Sequence, residues 1–287
     1  MIHLIENPTA GSGFAKELAP KVKAWLQEKQ IPYRWLQTGL PGEATDLAKL
    51  AVAEGTNAVL VLGGDGTASE AASGLLGTKV PLGVIPAGTG NDFRKTVGTP
   101  KDPMEALAFI FSHQPRPLDV GLVNDRAFLN LCGVGFDVTV LQNTMEAKKY
   151  ARGLTPYLIG LFKAIRHYRP IDIELTLGGR TERRQVLICA IGNGRFCGGG
   201  IPLCPSADPN DGKLNAMIVR DTTKWGIVRR LPALLGGKLE QISLSEPQLC
   251  DGMVIRCPGM TLNVDGELSV VDEARFSLLP GGLMYYW

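Results

Sequence analysis

The residues best suited to chemistry lie in a short turn, Gly63-Gly64-Asp65-Gly66-Thr67, directly after the apolar run 57–62. Glycines let backbone amides press against an anion such as phosphate. Asp65 places a carboxylate where an anion would bind, an arrangement that is favourable when both share a cation, and Mg²⁺ is the natural one. Thr67 could touch phosphate or cap a helix; alone, the segment also reads as a turn with an ordinary N-cap. Two further glycine loops follow apolar runs in the same way: Asn7-Pro8-Thr9-Ala10-Gly11-Ser12-Gly13, after 1–6, and Pro86-Ala87-Gly88-Thr89-Gly90-Asn91-Asp92, after 81–85. Taken singly, the first is equally well a tight turn. Three loops with one placement can converge on one site, which is far more specific. There is no GxxxxGK[ST] motif, so this is not a P-loop protein, and no full GxGxxG follows the first strand, which weakens a dinucleotide-binding reading.

Other acids stand apart from these loops. The turn Asp265-Gly266-Glu267 presents two carboxylates two residues apart, so one can position while the other takes a proton. Taken alone, it is a hairpin turn with solvated acids. Asp119 and the run Asp208-Pro209-Asn210-Asp211-Gly212 are further candidates, the latter also readable as a loop turn. Lys148, Lys149 and Arg152, then Arg166, His167 and Arg169, and also Arg229-Arg230, could meet anionic headgroups, although charge runs are more often solvated faces. Leu158, Leu161, Phe162 and Ile165 could line a lipid pocket, although a helix packing into a core uses the same stripe.

The elements that must position these groups change character along the chain. In the first hundred residues, short apolar runs (1–6, 33–37, 57–62, 81–85) alternate with helical spacings: Phe14, Leu18, Val22, Trp25 and Leu26; Ala44, Leu47, Ala48 and Ala51; Ala68, Ala71, Ala72 and Leu75. Strands apolar on both faces, alternating with helices, imply a parallel sheet covered on both sides. After about residue 115 the segments 116–123, 126–132, 171–177, 184–191, 214–220, 242–249, 252–257 and 261–265 read as strands, many joined without helices. Helices are expected around 157–165 and 223–235, and final strands at 274–279 and 283–287. The expected fold is an α/β domain with a mostly parallel three-layer sheet over 1–120, completed by 273–287, followed by a β-rich sandwich domain over 121–272, with a cleft between them.

The composition limits the alternatives. The 287 residues carry 30 basic and 28 acidic side chains, a formal charge of +2, which argues against a nucleic-acid partner. The six cysteines show no CxxC spacing and the three histidines lie far apart, so a zinc site is not expected. The first residues read as a strand rather than an export signal, and no apolar run is long enough to span a bilayer. A cytoplasmic setting fits these features. A homodimer is left open.

Together, Asn7-Pro8-x-x-Gly11, Gly63-Gly64-Asp65-Gly66-Thr67 and Pro86-x-Gly88-Thr89-x-Asn91-Asp92 resemble the nucleotide-site motifs of the diacylglycerol kinase catalytic domain family, in particular its soluble bacterial and YegS-like members. The likeness continues in order through Leu118-Asp119-Val120-Gly121, Phe128-Leu129-Asn130, Gly133-Val134-Gly135-Phe136-Asp137, Asn193-Gly194, Gly198-Gly199-Gly200, Ala207–Leu214 and Asp265-Gly266-Glu267, covering essentially the whole chain. Ser69 departs from it, standing where relatives commonly have Asn.

The resemblance implies a phosphoryl transfer from ATP to a hydroxyl of diacylglycerol or a related lipid, transiently at a membrane surface. By that likeness Glu267 is the general base, Asp65 with Asp119 holds Mg²⁺ directly or through water, and Gly63, Gly64, Gly66, Thr67, Gly88, Thr89, Asn91 and Asp92, with Asn7, Pro8 and Gly11, bind the nucleotide. A structural Mg²⁺ would use the Asp211 carboxylate and the backbone of Asp208 and Lys213. Competing readings are an NAD kinase, which would share the Asp65 loop, and a non-catalytic nucleotide or lipid sensor.

Overall fold

A computed structural model describes residues 1–151 and 155–287; Arg152 lies outside them. The first part runs β1 (Ile2–Glu6), α1 (Phe14–Glu28), β2 (Tyr33–Gln37), α2 (Glu43–Ala53), β3 (Val59–Gly63), α3 (Asp65–Leu75), β4 (Leu82–Pro86), α4 (Asp92–Val97) and α5 (Pro103–Ser112). The four strands pair in parallel in the order β4-β3-β1-β2. On one face, α1 buries Ala15, Leu18, Val22 and Leu26 in a cluster with Leu4, Leu60 and Ile85. On the other, α2 and α3 meet through alanines, among them Ala48 and Ala72. Small residues are needed there: a Cβ on Gly74 would stand 2.4 Å from the Thr45 carbonyl oxygen. All five residues of β1 and of β3 are buried; β3 is wholly apolar, and in β1 the buried His3 is bonded to Glu54 and the buried Glu6 to Trp35 and Gln37.

The second part runs β5 (Arg116–Val123), β6 (Arg126–Phe128), β7 (Leu131–Gly135), α6 (Phe136–Ala147), α7 (Thr155–Arg166), β8 (Ile171–Leu177), β9 (Arg180–Gly192), β10 (Phe196–Cys197), β11 (Ile201–Pro202), β12 (Leu214–Arg220), α8 (Lys224–Leu235), β13 (Ser245–Cys250), β14 (Gly252–Val264) and β15 (Glu267–Tyr285). Its strand pairs are antiparallel, and the inward faces of β7, β9, β12 and β14 build a core around Val134, Ile191, Ile218 and Leu262. β15 connects the two parts. It pairs with β14 and β5, and its last residue, Tyr285, pairs in parallel with Leu82 of β4.

Several elements differ from the sequence reading, each for a local reason. The expected strand 126–132 is two strands, because the amides of Leu129, Asn130 and Leu131 all turn toward the Asp265 carboxylate. The pairs 252–257/261–265 and 274–279/283–287 are each parts of a longer strand, interrupted by bulges near Gly259 (φ +65°) and Gly281 (φ +57°). The 242–249 segment forms strand only from Ser245. α4, α5 and α6 add helices to the expected set; in α6, Phe136, Val138 and Val140 are buried at every second position, a spacing that suggests a strand.

Candidate active site

The three glycine loops meet at the carboxyl edge of the parallel strands. Asn7 Nδ2 donates to Thr67 Oγ1 at 2.9 Å, joining the first loop to the second. The Ala87 amide donates to the Gly63 carbonyl at 2.7 Å, joining the second to the third. The contacts are close enough to exclude side chains. A Cβ on Gly11 (φ +60°) would lie 2.3 Å from the Ala87 carbonyl oxygen, and one on Gly88 would lie 2.5 Å from Gly64 Cα. Gly88→Ala must push these backbones apart. At about 1–3 kcal/mol for such overpacking, nucleotide affinity is expected to fall roughly 10- to 100-fold, measurable by calorimetric titration with ADP.

Above the loops lies a cleft of about 330 Å³. Asn7, Gly11, Gly64, Gly66, Thr67 and Gly88 line it, together with Glu267 from the far end of the chain. Glu267 Oε2 accepts a hydrogen bond from Arg126 at 2.5 Å, while Oε1 faces Gly66, 3.0 Å from where a Cβ on that residue would be. The remaining predicted nucleotide residues stand behind or beside this cleft. Gly63 is buried beneath Thr67, and Pro8 sits in the turn of the first loop. Asn91 accepts from the Gly88 amide and donates to its carbonyl, which fixes the third loop. Thr89 and Asn91 line a second cleft of about 750 Å³ that shares Gly88 with the first and also contains Arg94, Lys95 and Gly199.

The acids fall into two groups. Asp65 Oδ2 and Oδ1 accept the amides of Asp92 and Phe93, so it caps α4 from beneath the cleft. Burial pushes its carboxyl up to about 6, against those two amide bonds and with help from the charges of Asp92 and Asp265. Asp92 is buried, paired with Lys95 at 2.7 Å and bonded by the Gly199 amide at 2.8 Å. Asp265 is partly buried, and desolvation raises its carboxyl above the ordinary range, opposed by Ser69 Oγ and three backbone amides. It adopts φ +49°, with Gly266 at +93°, and this turn swings Glu267 over the cleft.

Asp119 belongs to the other group. Like Asp65 it lines neither cleft, and the two share no hydrogen-bond partner among the described residues. Its carboxylate accepts the amides of Gly212 and Gly281, fastening the 208–212 loop to the bulge of β15. In that loop Asp208 Oδ1 accepts the Asn210 amide and Asp211 Oδ1 the Lys213 amide. These are self-closing turns, and they use part of the donor set that a structural cation would need. Among the described residues no group of three or more His, Cys, Asp or Glu is arranged around a metal position.

Two contributors were not expected from sequence. One is Arg126. The other is the stretch Thr38-Gly39-Leu40-Pro41, which lines the first cleft. The second had a readable signal: it is a Gly/Pro loop after a parallel strand, placed like the other three.

The profile of the diacylglycerol kinase catalytic domain matches residues 1–123, and that of the YegS C-terminal NAD kinase beta sandwich-like domain matches 130–286. The chain belongs to the diacylglycerol kinase catalytic domain family. It is 31% identical to a protein named "Diacylglycerol kinase" from Mycobacterium tuberculosis, covering 97% of this chain and 92% of that one. It is 34% identical to "Probable lipid kinase YegS-like" from Pseudomonas putida, over 84% and 81% of the two chains. The crystal structure of a diacylglycerol kinase from Bacillus anthracis superposes with a TM-score of 0.80 at 26% identity, covering 100% of this chain and 96% of that one. Membership in this family marks the chain as an ATP-dependent phosphotransferase of the lipid kinase type.

Proposed function

We propose that the chain transfers the γ-phosphoryl group of ATP to a hydroxyl of diacylglycerol or a closely related lipid alcohol presented at a membrane surface. The observation carrying this reading is the approach of Glu267 Oε1 to Gly66, which puts a carboxylate from the last strand over the loops suited to a triphosphate. Glycine amides of the three loops hold the phosphates. The acceptor hydroxyl oxygen attacks the γ-phosphorus as its bond to the β,γ-bridging oxygen breaks; ADP leaves and the hydroxyl proton passes to Glu267. Arg126, held on Oε2, keeps Oε1 turned toward the reacting atoms. On this division, 1–120 with 273–287 carries the nucleotide and 121–272 presents the acceptor. Asp119 acts as a positioning residue, through the 208–212 loop.

On this reading Asp65 holds a divalent cation, directly or through water. A partly buried carboxyl, raised to about 6 and near the charges of Asp92 and Asp265, is a concentration of negative charge that Mg²⁺ would relieve. When bound with nucleotide, Mg²⁺ would neutralise phosphate charge. The same shift has a consequence in the ligand-free protein. Because the folded-state value lies above the ordinary 3.8, the contribution of Asp65 to stability is complete below that value and is lost as pH rises through about 6. Between pH 5 and 7.5 that loss is about 1 kcal/mol. Thermal unfolding of ligand-free wild type and Asp65→Asn at both pH values is expected to show a smaller fall in the variant.

The function itself is tested with radiolabelled ATP and Mg²⁺ against diacylglycerol in mixed micelles, with NAD offered in parallel. Label in a phosphatidic acid supports the reading. Label in NADP alone, or nucleotide binding without transfer to any lipid alcohol, contradicts it.

A further inference from the structure

α7 and α8 pack against each other, and each buries one side in the same core: Tyr157, Leu161 and Ile165 from α7, and Ile227, Leu231 and Leu234 from α8. Their outer sides are also apolar. Leu158 and Phe162, one turn apart on α7, are 55% and 68% exposed; on α8, Trp225 is 77% exposed, and Val228 and Leu235 continue its outer stripe. A helix on a soluble surface ordinarily places polar groups there. The charged residues on these two helices are all cations: Lys163 and Arg166, then Lys224, Arg229 and Arg230. The acids beside them are few. Glu146 of α6 pairs with Lys163, and Asp221 is engaged by the Tyr168 hydroxyl.

We infer that the outer face of α7 and α8 is the surface by which this protein docks on a bilayer containing anionic lipid. Exposed Trp and Phe among Leu and Val, ringed by Lys and Arg, make up the composition of a helix lying in the headgroup region, where ring and aliphatic carbon enter the acyl boundary and cations meet phosphate. The position suits the reaction as well. Gly237, just beyond α8, packs on Pro202, and the same 196–202 segment supplies the Gly199 amide that holds Asp92. The end of α8 therefore adjoins the segment that borders the second cleft. The inference rests on the lipid-acceptor reading for its purpose, although not for its binding test.

The test is co-sedimentation of the purified full chain with vesicles of phosphatidylcholine alone and of phosphatidylcholine mixed with phosphatidylglycerol, in the absence of ATP. Wild type is expected to sediment with the mixed vesicles. The Phe162→Ser/Trp225→Ser variant is expected to lose about tenfold or more of that binding, and Arg229→Glu several-fold, both with unchanged Tm since the side chains are exposed. Turnover on a short-chain, monomeric diacylglycerol should be kept by both variants, while turnover on vesicle-embedded acceptor falls. Equal sedimentation of wild type and variants would overturn the assignment. So would a wild-type dimer in analytical ultracentrifugation that the double variant breaks, since the face would then belong to a second copy. If wild type sediments but phosphorylates no lipid, the docking face stands and the acceptor reading fails.

Discussion

Glu267→Gln is expected to lower turnover by about 10²- to 10⁴-fold, the usual contribution of a positioned general base, while nucleotide affinity and Tm stay near wild type. The structure explains the separation of effects. Glu267 is a half-exposed side chain at the start of β15, bonded only to Arg126 among the described residues, so the substitution leaves no buried group orphaned. Gln also keeps an acceptor for Arg126, holding the side chain over Gly66 without its basicity. Steady-state kinetics with saturating ATP distinguishes the roles: loss in kcat fits a base, whereas loss confined to the Michaelis constant for the acceptor would make Glu267 a binding group. Near-wild-type turnover would remove it from the chemistry.

Asp265→Ala is expected to destabilise the fold by about 3–5 kcal/mol. Its carboxylate receives the amides of Leu129, Asn130 and Leu131 and the Ser69 hydroxyl. Alanine would leave three backbone donors of the β6–β7 turn and one α3 hydroxyl without partners. Because Ser69 lies in the first part of the chain and the turn in the second, the loss should appear as a lower denaturant midpoint, together with weaker nucleotide binding. Ser69→Ala removes only one of the four donors and should cost about 1 kcal/mol. A variant at Asp265 as stable as wild type would mean that these amides find other partners and that the carboxylate is no keystone.

How far the sequence could be read varied with the physics behind each feature. β3 was legible because full burial leaves it only apolar side chains, β1 because Ile2, Leu4 and Ile5 outweigh its buried His3 and Glu6, and the placement of three glycine loops after such strands suggested a shared edge. What links distant segments was not legible. Nothing in the Asp265-Gly266-Glu267 turn reveals that its first acid accepts three amides of residues 129–131 while its second faces a loop two hundred residues earlier. Asp119 illustrates the same limit: the motif around it shows a promising acid, but not that its oxygens accept glycine amides of the 208–212 loop and the β15 bulge. The α7 stripe was ambiguous for another reason. Four apolar residues at helical spacing look alike whether they face core or solvent; in the fold Leu161 and Ile165 pack inward while Leu158 and Phe162 point out.

The account stands on one arrangement, in which the loops around Gly11, Gly64 and Gly88 hold a triphosphate with its terminal phosphorus under Glu267. A crystal structure with Mg²⁺ and a non-hydrolysable ATP analogue tests it most directly. The expected density places the phosphates in the cleft between those loops, the terminal one nearest Gly66 and Glu267 Oε1. Phosphates in the second cleft beside Arg94 and Lys95, or a terminal phosphate turned away from Glu267, would contradict it.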